Sequence, residues 1–139
     1  MRALVLRVTR ASVSVGGETV AAIGPGLLVL LGVTATDLAA DADRLADKVR
    51  ALRVFDDAAG RMNEPLGERE VLCVSQFTLY GDARRGNRPS YIAAARPELA
   101  EPLYERVAER LGASRGVFGA RMAVELVNDG PVTLMLESP

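Results

Sequence analysis

The sequence contains no histidine and a single cysteine, Cys73. The first absence removes Ser-His-Asp and Cys-His catalysis, imidazole proton shuttles and His-ligated metals. The second removes internal disulfides and every cysteine-cluster metal site. Cys73 sits in the apolar run Val71-Leu72-Cys73-Val74. No nearby positive charge would activate a thiolate there, so it reads as a small core residue. An enzyme of this composition must work with hydroxyls, carboxylates, arginine, amides or groups on its substrate, and neither a metal nor a cofactor is expected. Long apolar runs are missing too. The longest spans Leu27 to Leu31, far short of a membrane span. The opening Met1-Arg2-Ala3-Leu4-Val5-Leu6-Arg7 meets a second charge too early for a signal peptide. A cytoplasmic protein with no membrane partner is therefore expected. Net charge is −1, which provides no global field to draw nucleic acid, and DNA is not an expected partner. Lys48 is the only lysine; the other basic residues are arginines.

What is present is ordinary for a globular chain: 139 residues, 49% apolar and 25% charged. That length favours one domain over residues 1–139 with a core of its own. Leu4, Leu6 and Val8 open a strand that continues through Ser12-Val13-Ser14-Val15. Gly16-Gly17 is a hairpin signal, and Leu27 to Val33 suits a strand buried on both faces. Leu38, Leu45, Val49 and Leu52 then fall on one helical face, with Thr36 or Asp37 as cap. Val71 to Leu79 is a strand candidate whose second half turns polar. Pro97 to Leu111 is a second helix with proline in its first turn. Two closing strands, Met122 to Val127 and Val132 to Leu136, flank a turn at Asn128-Asp129-Gly130-Pro131. The class is α+β, with a mostly antiparallel or mixed sheet, two helices and a tendency to curl into a barrel. An uncovered apolar face would make it a dimer.

Three segments could carry chemistry. Ser75-Gln76-Phe77-Thr78-Leu79 brings polar groups to the end of an apolar strand. Its hydroxyls have no histidine to take their protons, so a Ser or Thr nucleophile lacks a base. The segment reads either as a plain strand end, with hydroxyls bonded to backbone, or as an oxyanion hole formed by free N–H groups around Phe77 and Thr78. Asn128-Asp129-Gly130-Pro131 is either simple turn chemistry or a cis Gly-Pro pair. In the latter case its carbonyl oxygens point the same way and form a rigid surface without side chains. The loop Gly81 to Ser90 carries Arg84, Arg85 and Arg88 between Tyr80 and Tyr91. It is either solvated or suited to an RNA end, through phosphate contacts and stacking.

Ser75-Gln76-Phe77-Thr78-Leu79 and Asn128-Asp129-Gly130-Pro131-Val132-Thr133 resemble the two signature motifs of the bacterial and eukaryotic D-aminoacyl-tRNA deacylases, also called D-tyrosyl-tRNA(Tyr) deacylases. Arg7-Val8-Thr9-Arg10-Ala11-Ser12-Val13, Gly26 to Val33, Arg61-Met62-Asn63 and Arg88-Pro89-Ser90 fit the same family in order. The resemblance covers essentially the whole chain. It implies a homodimer of barrel-like subunits with sites at their interface. It implies hydrolysis of the ester joining a D-amino acid to the 3′ end of tRNA, a quality-control step in translation. Glycine mischarged on tRNA(Ala) is a related substrate. By resemblance, the catalytic residues are Ser75, Gln76, Phe77 and Thr78, with the Phe77 and Thr78 amides holding the oxyanion. Asn128, Gly130, Pro131 and Phe118 are the substrate-binding residues. Gly130-Pro131 is expected as a cis pair entering the partner's site, braced by Arg7 from the partner or from its own chain. Either Thr78 or the 2′-hydroxyl of the terminal adenosine drives the chemistry, and the lack of a base favours the latter. The chain departs from the family in a shorter Glu64–Glu70 connection and in Arg115, where a small hydroxyl residue is common. Two other readings remain: a dimeric RNA-binding module of this fold without turnover, and a hydrolase of small esters.

Overall fold

A computed structural model describes residues 1–138. The strand β1 (Arg2–Val15) buries every second residue over its first half, as its alternation requires. It turns at Gly16-Gly17 into β2 (Glu18–Ile23), and β3 (Gly26–Gly32) returns beside it. β1 is long enough to pair with β3 through Arg2–Val8 and with β2 through Ala11–Val15 on the same edge. The chain then crosses through helix α1 (Ala39–Ala51) and a short hairpin, β4 (Phe55–Asp56) and β5 (Met62–Glu64). It re-enters the sheet as β6 (Glu70–Ser75), parallel to β3. Helix α2 (Pro97–Arg110) leads to β7 (Ser114–Arg115), parallel to β6. The final strand, β8 (Ala123–Glu137), is antiparallel to β1. The fold is α+β, with a mixed sheet that curls nearly into a barrel as β2 comes to lie against β6 and β7.

Two cores follow from this curl. The larger lies between the sheet and the helices, from Leu27, Val29 and Leu31 to Val49 and Val107. The smaller fills the inside of the curl with Val13, Leu28, Leu72 and Val74. Leu28 and Leu72 are fully buried, each contributing about 2 kcal/mol by transfer. On the outside, Arg106 reaches Asp43 and Arg110 reaches Asp47, both at 2.7 Å, joining the two helices. The N-terminal ammonium ion-pairs with buried Asp37 at 2.7 Å and donates to Ser138 Oγ at 2.8 Å. Among the described residues, no helix is long and apolar enough to cross a membrane.

The structure departs from the sequence expectations at four places. Leu38 does not join the buried face of α1. It is the N-cap residue and 67% exposed, because the helix starts one residue later. Asp41 accepts the Leu38 N–H at 2.8 Å, which lowers its pKa. The strand expected to reach Leu79 stops at Ser75, and Phe77–Tyr80 is a 3-10 turn. The turn expected at Asn128–Pro131 is instead a bulge within β8, which stays paired with β1 on both sides. Leu6 pairs with Thr133 and Val8 with Asn128, so three extra residues of β8 bow out of the ladder. Pro131 has no N–H to give the ladder, which is why the strand loops out there. Finally, Gly130-Pro131 is trans, and no cis peptide bond occurs among the described residues. Trans is the lower-energy isomer and lets the extended strand run on past the bulge. The expected cis geometry of this pair is therefore overturned.

Candidate active site

The parallel strand β6 delivers Ser75 to the end of the sheet, in register with Leu31. Gln76 makes the last rung, its N–H donating to the Leu31 carbonyl at 2.7 Å. There the chain leaves the ladder and tightens into the 3-10 turn. The Leu79 N–H donates to Gln76 O at 3.2 Å and the Gly81 N–H to Thr78 O at 2.9 Å. A tight turn leaves its first N–H groups without internal partners. Those of Phe77 and Thr78 have no acceptor among the described residues. The turn can lie this close to β3 because residue 32 is glycine. A Cβ there would sit 3.1 Å from Gln76 O and 3.2 Å from the Leu79 and Tyr80 side chains.

A cleft of about 580 Å³ opens beside the turn. Ser75, Gln76, Phe77, Phe118, Met122 and Val124 are among the residues that line it. Phe77 is 54% exposed and meets Tyr91 edge to face, with ring centroids 5.0 Å apart. Phe118 leans on Tyr104 at 5.9 Å, and the Tyr104 hydroxyl donates to the Cys73 carbonyl at 2.8 Å. Burial pushes the Tyr104 pKa up, and pushes that of the Cys73 thiol up to about 12. Cys73 is fully buried, in keeping with a core role. The only charged side chain on the cleft wall, among the described residues, is Arg96. No carboxylate lines it, so a hydroxyl there has no base to accept its proton. Thr78 lies off the cleft wall, exposed, and its Oγ1 accepts a hydrogen bond from Gln76 Nε2. Among the described residues, no three His, Cys, Asp or Glu side chains converge as metal ligands would.

The structure thus gathers Ser75, Gln76, Phe77 and Phe118 around one cleft and leaves Asn128, Gly130 and Pro131 elsewhere. The Asn128–Gly130 stretch lies against Arg7 of the same chain. Buried Arg7 donates through Nε to Asp129 O at 3.1 Å and through Nη1 to Val54 O at 2.6 Å. Asn128 Nδ2 donates to Arg7 O at 2.9 Å and to Val132 O at 3.2 Å. Gly130 and Pro131 themselves remain exposed. Gly130 has φ +107°, and a Cβ on it would overlap Arg7 Nη2. Gly130→Ala should therefore cost about 1–3 kcal/mol, from left-handed backbone strain plus displacement of Arg7. Urea unfolding would measure it, and an unchanged midpoint would contradict the geometry.

The arginine loop is closed by paired Asp82–Ser90 backbone hydrogen bonds of 2.8 Å each. Arg84 turns back on Asp82 through both carboxylate oxygens, at 2.9 and 2.7 Å, and lowers the Asp82 pKa to about 2. Its charge is spent inside the loop. Arg85 and Arg88 make no ion pair among the described residues. Arg96 was not legible as a site residue. Its one local signal is its position before Pro97, which starts α2.

The sequence profile described as D-Tyr-tRNA(Tyr) deacylase matches residues 4–137. The chain is 58% identical to the D-aminoacyl-tRNA deacylase of Symbiobacterium thermophilum (strain DSM 24528 / JCM 14929 / IAM 14863 / T) over 145 residues, covering 99% of this chain and 96% of that protein. It is 56% identical to the D-aminoacyl-tRNA deacylase of Myxococcus xanthus (strain DK1622) over 146 residues, covering 100% and 95%. Both aligned lengths exceed the 139 residues of this chain, so those relatives carry residues it lacks. A solved structure described as c-Myc DNA Unwinding Element Binding Protein superposes with a TM-score of 0.94 at 44% identity, over 100% of this chain and 99% of the other. A probable eukaryotic D-amino acid tRNA deacylase shares the fold, with a TM-score of 0.83 at 15% identity over 97% of each chain.

Proposed function

Since the chain belongs to the D-Tyr-tRNA(Tyr) deacylase family, we propose that it cleaves the ester joining a D-amino acid to the 3′-terminal adenosine of tRNA. It is a hydrolase of ester bonds. Water adds to the ester carbonyl, the ester C–O bond breaks, and the products are free amino acid and tRNA with its 3′-hydroxyl restored. The observation that carries the reading is the pair of unpartnered N–H groups of Phe77 and Thr78, beside a cleft whose wall has no carboxylate or histidine. Fixed donors stabilise the oxyanion of the tetrahedral intermediate without any titrating side chain. The attacking water then needs a proton acceptor other than a protein side chain: the 2′-hydroxyl of the terminal adenosine, adjacent to the ester, takes its proton and passes its own to the departing 3′-oxygen. Phe118 supplies an apolar wall for that adenosine, and Ser75 and Gln76 shape the turn. Arg96 favours the developing negative charge.

Handedness is sorted by Gly130-Pro131, acting on a second copy of the chain. The bulge is exposed and away from its own cleft, so it reaches substrate only across a subunit interface. β8 suits such an interface. Among the described residues it pairs only with β1, and it exposes Leu126, Val127, Leu134 and Met135. An edge this long and apolar is normally covered. A main-chain filter excludes an L side chain but has nothing to reject in glycine, so glycyl-tRNA(Ala) is cleaved as well. The reaction belongs in the cytoplasm, where aminoacyl-tRNA is made and used.

The test is deacylation of D- and L-tyrosyl-tRNA followed in parallel. D-Tyr-tRNA should lose its amino acid at catalytic enzyme concentrations while L-Tyr-tRNA persists. Protection or neglect of both esters would favour an RNA-binding module. Equal cleavage of free D-tyrosine ethyl ester would mean a small-ester hydrolase. Either outcome overturns the proposal.

A further inference from the structure

We propose that Arg2 is a positioning residue, which tethers the 3-10 turn to the sheet and sets the aim of the Phe77 and Thr78 N–H groups. The inference rests on the oxyanion reading of that turn. None of the residues Phe77–Tyr80 is buried, so the turn has no core anchor of its own. Its entry is fixed by the Gln76–Leu31 hydrogen bond. Its exit is fixed by Arg2. Nη1 donates to the Leu79 carbonyl at 2.8 Å, and the guanidinium lies 4.6 Å above the Tyr80 ring. Glu137, paired with Arg2 across β1 and β8, holds Nε at 3.0 Å. On the other edge Arg2 pairs with Gly32, the residue on which the turn rests. The Arg2 side chain thus ties the catalytic turn to β1 and β8.

The Arg2 side chain is 37% exposed, so removing it opens no core cavity. Its effect should appear in turnover, because small misplacements of a donor are costly to a transition state. Arg2→Ala should lower kcat about tenfold with KM within about twofold and little change in melting temperature. Arg2→Lys, which keeps a donor for the Leu79 carbonyl, should recover part of the loss. In a Phe77→Pro background, where one of the two donors is already gone, Arg2→Ala should cost much less than in the wild type. Unchanged kcat in Arg2→Ala would overturn the proposal, as would a fall in melting temperature that fully accounts for the lost activity. Equal losses in both backgrounds would also overturn it. The oxyanion reading fails separately, if Phe77→Pro and Phe77→Ala turn over equally fast.

Discussion

A D-aminoacyl-tRNA whose terminal adenosine carries hydrogen in place of the 2′-hydroxyl should be cleaved about a thousandfold more slowly than the intact substrate. Thr78→Ala should stay within a few-fold of the wild type. The contrast follows from what surrounds each hydroxyl. The Thr78 hydroxyl receives a hydrogen bond from the Gln76 amide, and an amide N–H cannot take up the proton a nucleophile must lose. No histidine exists to do so, and no carboxylate lines the cleft. The ribose hydroxyl brings its own position, next to the ester, and needs no base from the protein to be there. Single-turnover deacylation of the two tRNAs, and of the variant on intact tRNA, gives the comparison. Loss of turnover in a folded Thr78→Ala protein would make Thr78 the nucleophile and end the RNA-assisted account.

Phe77→Pro should lose about two to three orders of magnitude in kcat relative to Phe77→Ala, the usual consequence of deleting one oxyanion donor. Both variants remove the aromatic ring and its contact with Tyr91. Only proline removes the N–H. The position accepts it. Gln76 has φ −139° and ψ 74°, outside the helical region that a following proline disfavours. The 3-10 turn has φ values close to those of proline. The Phe77 N–H also has no acceptor to lose among the described residues. Stability should therefore match between the two variants, while turnover separates them. Measuring kcat and urea midpoints for both variants decides the point.

Much of the frame was legible locally. Leu45, Val49, Leu103 and Val107 recur at helical spacing, and all are buried where α1 and α2 meet the sheet. Cys73 read as core because of the run around it, and it is. The strand read from Val71 to Leu79 is present only to Ser75, and the polar half beyond it is a 3-10 turn. The failures share a cause. Leu38 matches the period of its helix, but the period says nothing about which residue starts it. Asn128-Asp129-Gly130-Pro131 has every local mark of a turn, yet β1 is long enough to pair on both sides of it and keeps β8 as one strand. Arg2 and Arg96 carry no sequence mark of the contacts they make.

The sequence alone determined the chemistry open to this protein: no imidazole, no cysteine cluster, a polar strand end and a Gly-Pro segment. It also determined the two helices and the buried central strands, because side-chain period and proline or glycine placement act over a few residues of backbone. Only the tertiary structure decided which distant groups meet. It put Phe118 and Phe77 on one cleft, Arg2 on the Leu79 carbonyl, and Gly130 against Arg7 as a trans bulge outside its own cleft. Such contacts depend on how far β1 can pair along both its edges, and no local stretch of sequence encodes that competition.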